Sequence, residues 1–354
     1  MAIISQKTYE EKCQNESLIK FAKKYNLARI LKQSNIRKAK GVGALTVFIH
    51  LMSVRFSGKS LNRLLWENKM CGKKDVYYRF MNSVSANWYK FIRLLSALVI
   101  ADCIRTYSPE DIPVYILDDT IHKRNRSNEV ELLTRVRDHN DGRYYRGFRC
   151  LTLGYHNTRH FLPIDFRLLS SAKEKTRING MKPGIDKRTT GYKAREFAVK
   201  NSYQAAFDMI DHAPGAARYV LFDSWFSEPI MFKNLRKRNL HGIGMLKAKK
   251  GSLYRYKGKY YNLEALYSKV NQFLHQKDDY AAIGVELRDG TPFSITFVRD
   301  KNNKRDWLAI GTTDLSLSPR QVIELYSRRW NIEVFFKTIK SLLGFAKECQ
   351  ARSL

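Results

Sequence analysis

The chain has 354 residues, 44% of them hydrophobic and 12% aromatic, which excludes a disordered tail and allows at least one sizeable core. Its 64 Lys and Arg residues against 33 Asp and Glu residues leave a net charge of +31, which indicates a polyanionic partner, with nucleic acid ahead of an anionic membrane. The longest mainly apolar run, Leu94 to Ala101, is too short to span a bilayer, so we expect no membrane partner.

The N-terminus and the cysteines indicate a compartment. The opening stretch MAIISQKTYEEKCQ contains no hydrophobic signal segment. The cysteines are scattered and form no Cys-x2-Cys pair, which argues against a disulfide scaffold or a structural zinc site. They are Cys13, Cys71, Cys103, Cys150 and Cys349. This usage predicts a reducing, cytoplasmic environment.

Residues 1–110 are predicted to be helical. Three segments in this range carry apolar residues at three-to-four spacing: 43–56, 60–67 and 87–104. Ser60 and Ser85 are predicted to cap helices, and Gly58 to end one. Basic residues line the polar faces and turns, which favours a small helical DNA-binding domain. A basic helical bundle that only packs on the rest of the chain is nearly as well supported.

From Pro113 the pattern changes to short runs rich in β-branched and aromatic residues, which are typical of strands: 113–119, 147–157 and 160–169. A helical stretch is predicted over 192–213. A strand within 217–226 then ends at Asp223, and Pro229 predicts a helix start soon after it. Strands that go on to alternate with helices predict an α/β core whose functional site lies at the carboxyl ends of strands.

Residues 246–305 interrupt this core. The segment 247–261 contains six Lys and Arg residues, four Tyr residues and no acid. Aromatic residues interleaved with bases suit a surface that binds phosphates and stacks on bases. We therefore predict DNA contacts by four of its cations: Lys247, Lys249, Lys250 and Arg255. A basic β-hairpin with no ligand is an equally weighted alternative. Further strands are predicted over 294–300 and 306–314.

The stretch YSRRWNIEVFFKTIK, residues 326–340, predicts one amphipathic helix with a single acid among bases. At helical spacing Tyr326, Arg329, Glu333 and Lys340 share one edge, and apolar residues form the neighbouring face. Such a pattern most often marks an ordinary helix with a solvated basic edge. A functional interpretation requires partners elsewhere in the chain.

Those partners are acids at predicted strand ends, namely Asp118 or Asp119 and Asp223. Together with Glu333 they form a set of oxygen ligands that could bind a pair of Mg²⁺ ions. Two such ions can assist displacement at a phosphodiester. Each acid alone is weak evidence, because a strand-end Asp is more often a turn or cap residue.

The spacing Tyr-x2-Arg-x3-Glu-x6-Lys resembles the signature of DDE transposases of the insertion-sequence-four type. The Asp118-Asp119-Thr120 run and the later Asp223 agree with that family in order and context. The resemblance implies a ribonuclease-H-like catalytic core, mixed α/β, in which Asp118, Asp223 and Glu333 hold two Mg²⁺ or Mn²⁺ ions. Asp118 is favoured over Asp119 because family members often carry Asp-Gly-Thr or Asp-Ser-Thr there.

The resemblance also implies roles in DNA binding. Tyr326, Arg329 and Lys340 would hold the phosphates that flank the cleaved bond. Trp307 resembles a position at which family members can stack a Trp on a flipped base; a half-buried strand aromatic is an equally good interpretation of it. The implied partners are DNA, as terminal inverted repeats and target, and a second copy of the chain in a synaptic complex.

These expectations define an organisation and a function. The predicted units are a helical DNA-binding domain (1–110), the first part of the core (111–245), a basic β-rich insertion (246–305), and the final strand with the Glu-bearing helix (306–354). The implied function is cut-and-paste transposition in a bacterial-type cytoplasm, in association with the nucleoid. Family members usually continue with further helices, so the early C-terminus is interpreted as either a truncated reading frame or one part of a split one, and activity of this copy depends on which it is. The alternatives are a catalytically inactive remnant that only binds DNA and a ribonuclease-H-like nuclease or resolvase.

Overall fold

The computed structural model describes residues 16–345, except 68, 106–107, 109–110, 139–140, 216, 250, 275–278 and 301–305. Within these ranges the chain is a mixed α/β protein in which eleven strands form one sheet. None of the helices in these ranges combines the length and apolarity that crossing a membrane requires. The described cysteines, Cys71, Cys103 and Cys150, form no disulfide with one another.

The N-terminal region is helical, as predicted, and packs around its own apolar cluster. Ser60 accepts a hydrogen bond from the Arg63 N–H, and Gly58 ends its helix in the left-handed conformation with φ of 64°. The predicted cap at Ser85 is wrong: Asn87 Oδ1 accepts from the Lys90 N–H at 2.8 Å. The helices are α1 (Leu27–Gln33), α2 (Ala44–Ser57), α3 (Leu61–Trp66), α4 (Lys74–Met81) and α5 (Trp88–Ile104), and residues 16–24 are also helical.

The central part of the sheet has the ribonuclease-H-like topology that was predicted. Two neighbouring pairs, β1–β3 and β3–β4, are antiparallel, whereas β5 and β6 run parallel to β1 in the order β4-β3-β1-β5-β6. The strands are β1 (Val114–Lys123), β2 (Thr134–Arg137), β3 (Tyr144–His156), β4 (Phe161–Leu169), β5 (Tyr219–Phe222) and β6 (His241–Leu246).

The helices between these strands lie where the sequence pattern placed them, with one difference. The stretch predicted as a single helix over 192–213 is two helices, because Asn201 starts a new one by accepting from the Gln204 N–H at 2.9 Å. Pro229 is the first residue of the helix after β5, as expected. These helices are α6 (Thr190–Ala198), α7 (Ser202–Asp211) and α8 (Pro229–Arg236).

Residues 246–305 supply strands that continue the same sheet. From β6 the order runs β6-β11-β10-β9-β7-β8, with antiparallel pairing from β6 onward. The region predicted as an insertion therefore lengthens the sheet on its β6 side, through pairing with β11. Its elements and the strand that follows it are β7 (Tyr254–Tyr256), β8 (Lys259–Tyr261), α9 (Leu263–Leu274), β9 (Tyr280–Glu286), β10 (Pro292–Arg299) and β11 (Trp307–Thr312).

The final helical segment is not the single helix that was predicted. It consists of α10 (Pro319–Ser327) and α11 (Trp330–Ser341). At the joint the Arg329 N–H donates to the Tyr326 carbonyl, and the Ile332 N–H donates to the Arg329 carbonyl. These three-residue bonds wind the chain more tightly than an α-helix, so they interrupt its regular rotation between Tyr326 and Glu333.

The two faces of the sheet are covered by different helices. Alternate residues of β1 and β5, including Ile116 and Leu221, pack against Val322 of α10 and Ile332 of α11. The β1 and β5 residues that alternate with these, such as Leu117, point to the other face of the sheet and join the larger core, which contains residues of α7, α8 and α9.

Asp118 and Asp119 were predicted to end their strand, but β1 continues to Lys123 because it stays paired with β3. Along β1, alternation lets a side chain meet α11 on one face of the sheet only.

Candidate functional site

Asp118 and Asp223 lie side by side at the sheet. Strands β1 and β5 are parallel and in register, with Leu117 opposite Phe222. Asp118 is therefore the next residue on β1, and Asp223 follows immediately after the end of β5. Asp223 Oδ1 accepts a hydrogen bond from the Trp225 N–H at 3.0 Å, which fixes the turn that follows the strand.

Asp118 and Asp119 occupy opposite faces of the sheet. Asp118 shares its face with Ile116, which packs on α10 and α11. Asp119 shares the other face with Leu117, and its two oxygens accept from Arg149 Nη1 at 3.1 and 2.8 Å. The structure thus places Asp118 on the side of α11, and it places Asp119 in an ion pair on the far side.

Glu333 reaches this site through Arg329. It lies in the first turn of α11, and the Arg329 guanidinium donates from Nη2 to Glu333 Oε1 at 2.5 Å. The same guanidinium donates from Nη1 to Asp118 Oδ2 at 3.1 Å. A single arginine therefore bridges the strand carboxylate and the helix carboxylate.

The Asp118 and Asp223 carboxyls carry poorly compensated negative charge. Burial, and after it the neighbouring Asp223, raises the pKa of Asp118 to about 7, with Arg329 opposing the shift. Burial is also the main cause that raises the pKa of Asp223, whereas its bond from the Trp225 N–H lowers it. Each carboxylate is desolvated without a full counter-charge beside it, and such an environment favours the binding of a cation.

The donor set fits a divalent cation in chemistry. Asp118, Asp223 and Glu333 offer only carboxylate oxygens, which hard ions such as Mg²⁺ prefer. Within the described ranges no three His, Cys, Asp or Glu side chains are grouped closely enough to hold a metal ion. The reason at this site is that Glu333 is turned to Arg329, whose charge lies between it and Asp118.

The other members of the predicted signature also line this edge. Lys340 Nζ donates to the Thr120 hydroxyl, and Thr120 is two residues after Asp118 on the same face of β1. The Tyr326 hydroxyl is buried beside the Arg329 guanidinium; burial raises the pKa of Tyr326 to about 12, and the arginine opposes that shift. Arg329 Nε is also buried. Buried donors at this edge, from Tyr326 and from Arg329, fit an oxygen-rich ligand such as a phosphate.

The remaining predicted DNA contacts that the structure describes are packed, paired with acids or exposed. Trp307 stacks on Tyr267 with ring centroids 4.6 Å apart, and it packs against the large core. Lys249 Nζ pairs with Glu228, the residue before α8, and Arg255 Nη1 pairs with Glu286 at 3.1 Å. The Lys247 side chain is exposed. Lys250 lies outside the described residues.

Two further residues beside the site, Arg149 and Trp225, were not predicted from the sequence. Arg149 holds Asp119, and its guanidinium lies 5.5 Å from the ring centroid of Trp225, which is 45% exposed. The signal for Arg149 was its diagonal position across the β1–β3 pair, which follows from register and not from the local sequence. Trp225 could have been found as an aromatic residue two positions after a strand-end acid.

The order and directions of the central strands define a ribonuclease-H-like fold. By sequence the chain belongs to the family of DDE superfamily endonucleases, which matches residues 33–256, more than half of its length. The matched range contains Asp118 and Asp223 and ends before Glu333. Enzymes of this superfamily use divalent metal ions. No curated protein matches the chain.

A solved structure with a similar chain is the cryo-EM structure of the piggyBac transposase synaptic complex with hairpin DNA. The two chains are 16% identical, and their superposition has a TM-score of 0.36. The similarity covers 90% of this chain and 58% of that one, so this chain spans a little over half the length of its neighbour.

Proposed function

We propose that this protein is a DNA transposase that cuts the ends of an insertion sequence and joins them to target DNA. The observation that carries the proposal is the meeting of Asp118, Asp223 and the Arg329–Glu333 pair at one edge of a ribonuclease-H-like sheet. The family membership supports phosphodiester chemistry, and the net charge of +31 supports a nucleic-acid partner. The signature of the insertion-sequence-four type supports the transposase assignment within the superfamily.

In this proposal each residue of the edge has a role. Asp118, Asp223 and Glu333 hold one or two Mg²⁺ or Mn²⁺ ions, which when bound stabilise charge on the attacking and leaving oxygens. Arg329, Tyr326 and Lys340 donate hydrogen bonds to phosphate oxygens beside the reacting bond. Asp119 stays in its ion pair with Arg149 and takes no part in the chemistry.

The reaction has two displacements at phosphorus. A water oxygen bonds to the phosphorus at the element's end while the bond to the 3′-oxygen breaks, which leaves a 3′-hydroxyl. That hydroxyl then attacks a target phosphodiester and releases a target 3′-hydroxyl, without a covalent protein intermediate. Because two ends must be brought together, we propose that two copies of the chain act as a homodimer.

The test compares three substitutions of one kind: Asp118→Asn, Asp223→Asn and Asp119→Asn. The substrate is a supercoiled plasmid carrying the element's inverted repeats, incubated with Mg²⁺ or Mn²⁺. We expect Asp118→Asn and Asp223→Asn to abolish end cleavage, by a factor of at least roughly 10², because each removes a charge that holds the cation. Asp119→Asn is the matched neighbour, and we expect it to retain cleavage within about tenfold of the wild type, since its ion pair is structural.

The other outcomes separate the competing functions. Equal cleavage of a plasmid without the repeats would favour a nuclease or resolvase over a transposase. Intact DNA binding without cleavage by the wild-type protein would favour a DNA-binding protein without catalysis. Loss of cleavage with Asp119→Asn but not with Asp118→Asn would contradict the proposed carboxylate set.

A further inference from the structure

A short β-ribbon extends the sheet past the end of β1. Strand β3 is 13 residues long, and its final ten residues pair with β1. Its first residues, Tyr144–Gly147, pair with Thr134–Arg137 of β2 instead. We call these two segments the arginine ribbon. It leaves the sheet beyond Lys123, the last residue of β1, which lies opposite Gly147 and five residues after Asp118.

One face of the arginine ribbon is lined by cations and an aromatic ring. Arg135 lies opposite Arg146, and Arg137 lies opposite Tyr144, so all four side chains share one exposed face. Tyr144 is 68% exposed. Like charges directly across a β-pair destabilise it, so folding alone gives no reason to place Arg135 opposite Arg146.

The charge on this face is not compensated within the described residues. The side chains of Arg135 and Arg137 have no ion-pair or hydrogen-bond partner in the described part of the chain. The Arg146 guanidinium donates to the Asn128 side chain, which is neutral. The exposed face therefore presents three positive charges.

The acids of the same hairpin are bound elsewhere. Asp138 Oδ2 pairs with Lys123 Nζ at 3.2 Å, and Asp141 accepts from the Tyr145 hydroxyl. Lys123 also lies 3.4 Å from the ring centroid of Tyr145. The two carboxylates are thus held by Lys123 of β1 and by Tyr145, whose side chain lies on the opposite face of the ribbon from the arginines. The arginine face is therefore available to an external anion.

The arginine ribbon begins close to the candidate site. The charge of Asp138, one residue after Arg137, acts on Lys340, which itself contacts Thr120 of β1. Thr152 lies opposite Asp118, and Arg146 is six residues from it along β3, a span of about 20 Å at the rise of an antiparallel strand. At one base per 3.4 Å, that distance corresponds to about six base pairs of duplex DNA.

We infer that the arginine ribbon binds the phosphate backbone of duplex DNA about six base pairs from the bond held at the carboxylates. The partner is a duplex, because a two-stranded ribbon with alternate exposed arginines can lie along a groove and contact the phosphates at its rim. The distance to the cut rests on the proposed function, whereas binding itself does not.

The test measures salt-dependent binding of a fluorescein-labelled 30-base-pair duplex of mixed sequence, by anisotropy in EDTA. We expect Arg135→Ala/Arg137→Ala to reduce the slope of log K against log salt by about 2, since each lost phosphate contact removes about 0.9. Arg135→Lys/Arg137→Lys should keep the slope, because it retains both charges. Arg236→Ala/Lys237→Ala is the matched control, because both residues are exposed at the far end of α8 and should leave the slope unchanged.

Equal slopes for the alanine pair on the ribbon and the control pair on α8 would overturn the inference. A hydroxyl-radical footprint on a duplex ending at the cleaved terminus gives the position. We expect the ribbon variant to lose protection about six base pairs from the terminus, and an unchanged footprint would also overturn the inference. If the wild-type protein does not cleave DNA but the ribbon variant has a reduced slope, the proposed function is contradicted, whereas DNA binding by the arginine ribbon is supported.

Discussion

At the scale of single residues, Asp118 and Asp119 are adjacent and chemically identical, yet their surroundings differ. Asp119 has a counter-charge in Arg149, which donates to both of its oxygens. Asp118 shares the Arg329 guanidinium with Glu333, and burial, with Asp223 nearby, raises the pKa of Asp118 to about 7. The difference arises because alternation along β1 points them to opposite faces.

The Arg329 guanidinium lies between Asp118 and Glu333, where a metal ion would bind, so it predicts a competition that can be measured as metal affinity. Arg329→Gln removes the competing positive charge, so we expect Mn²⁺ to bind roughly tenfold more tightly, about the worth of one charged hydrogen bond. The measurement is isothermal titration calorimetry of the DNA-free protein with Mn²⁺. We expect the same variant to lose cleavage, because the proposed contact of Arg329 with phosphate is lost as well.

Arg328→Gln is the control for this measurement. Arg328 is the neighbouring arginine and donates to the Ile112 carbonyl, away from the carboxylates. Its substitution should leave the Mn²⁺ affinity unchanged. Equal affinities for Arg329→Gln and the wild type would show that the guanidinium does not compete with the metal.

At the scale of elements, the Phe222 ring of β5 lies so close to the backbone of β6 that position 244 requires glycine. A methyl group at Gly244 on β6 would lie 2.3 Å from the Phe222 ring and 2.4 Å from Ser227 Oγ. Phe222 ends β5, directly before Asp223, and the Ser227 hydroxyl donates to the Asp223 carbonyl at 3.0 Å. The close contact of these two strands therefore supports the turn that carries Asp223.

Gly244→Ala should force Phe222 out of its position and lower the free energy of unfolding by about 1–3 kcal/mol, the usual cost of overpacking a core. Urea unfolding followed by circular dichroism measures it. Gly284→Ala on β9 is the matched control, because nothing lies within 4 Å of the added methyl group. We expect the control to be unchanged or slightly stabilised. Equal effects of the two substitutions would contradict the packing argument.

At the scale of the whole molecule, a buried ion network joins the N-terminal helices to the sheet. Arg93 on α5 donates to Asp165 on β4 at 2.6 Å and to Asp208 on α7 at 3.2 Å. Arg167 donates to the same two carboxylates at 2.7 and 2.6 Å. Asp165 is only 2% exposed, so its charge depends on both arginines.

Arg93→Met keeps much of the side-chain volume and removes one of the two charges that hold Asp165. We expect the free energy of unfolding to fall by roughly 3–5 kcal/mol, the cost of leaving a buried charge poorly paired. Thermal and urea unfolding measure the change. Arg63→Met is the control: Arg63 pairs with Glu67 on the surface and is 67% exposed, so its loss should cost under about 1 kcal/mol. A similar loss for both would mean that the network does not hold α5 to the sheet.

The sequence by itself determined the local features of this protein. Periodicity placed a strand at 160–169 and the start of β1 at 113, although β1 continues past the predicted end at 119 to Lys123. Gly58 ended its helix, and the strand before Asp223 ended where expected. These features depend on side-chain spacing and on bonds between residues a few positions apart, so a single stretch contains all the information. The break between α10 and α11 was missed because short helical turns leave little trace in an apolar pattern.

Only the tertiary structure decided which of these residues meet. Residues 246–305 read as an interruption, yet their strands continue the sheet, because edge pairing depends on backbone groups that any sequence offers. Arg149 pairs with Asp119, and Arg329 bridges Asp118 and Glu333, through contacts across 30 and 211 positions. The physical reason is that register and helix docking are set by the packing of the whole core, whereas a local pattern fixes only what lies within one element.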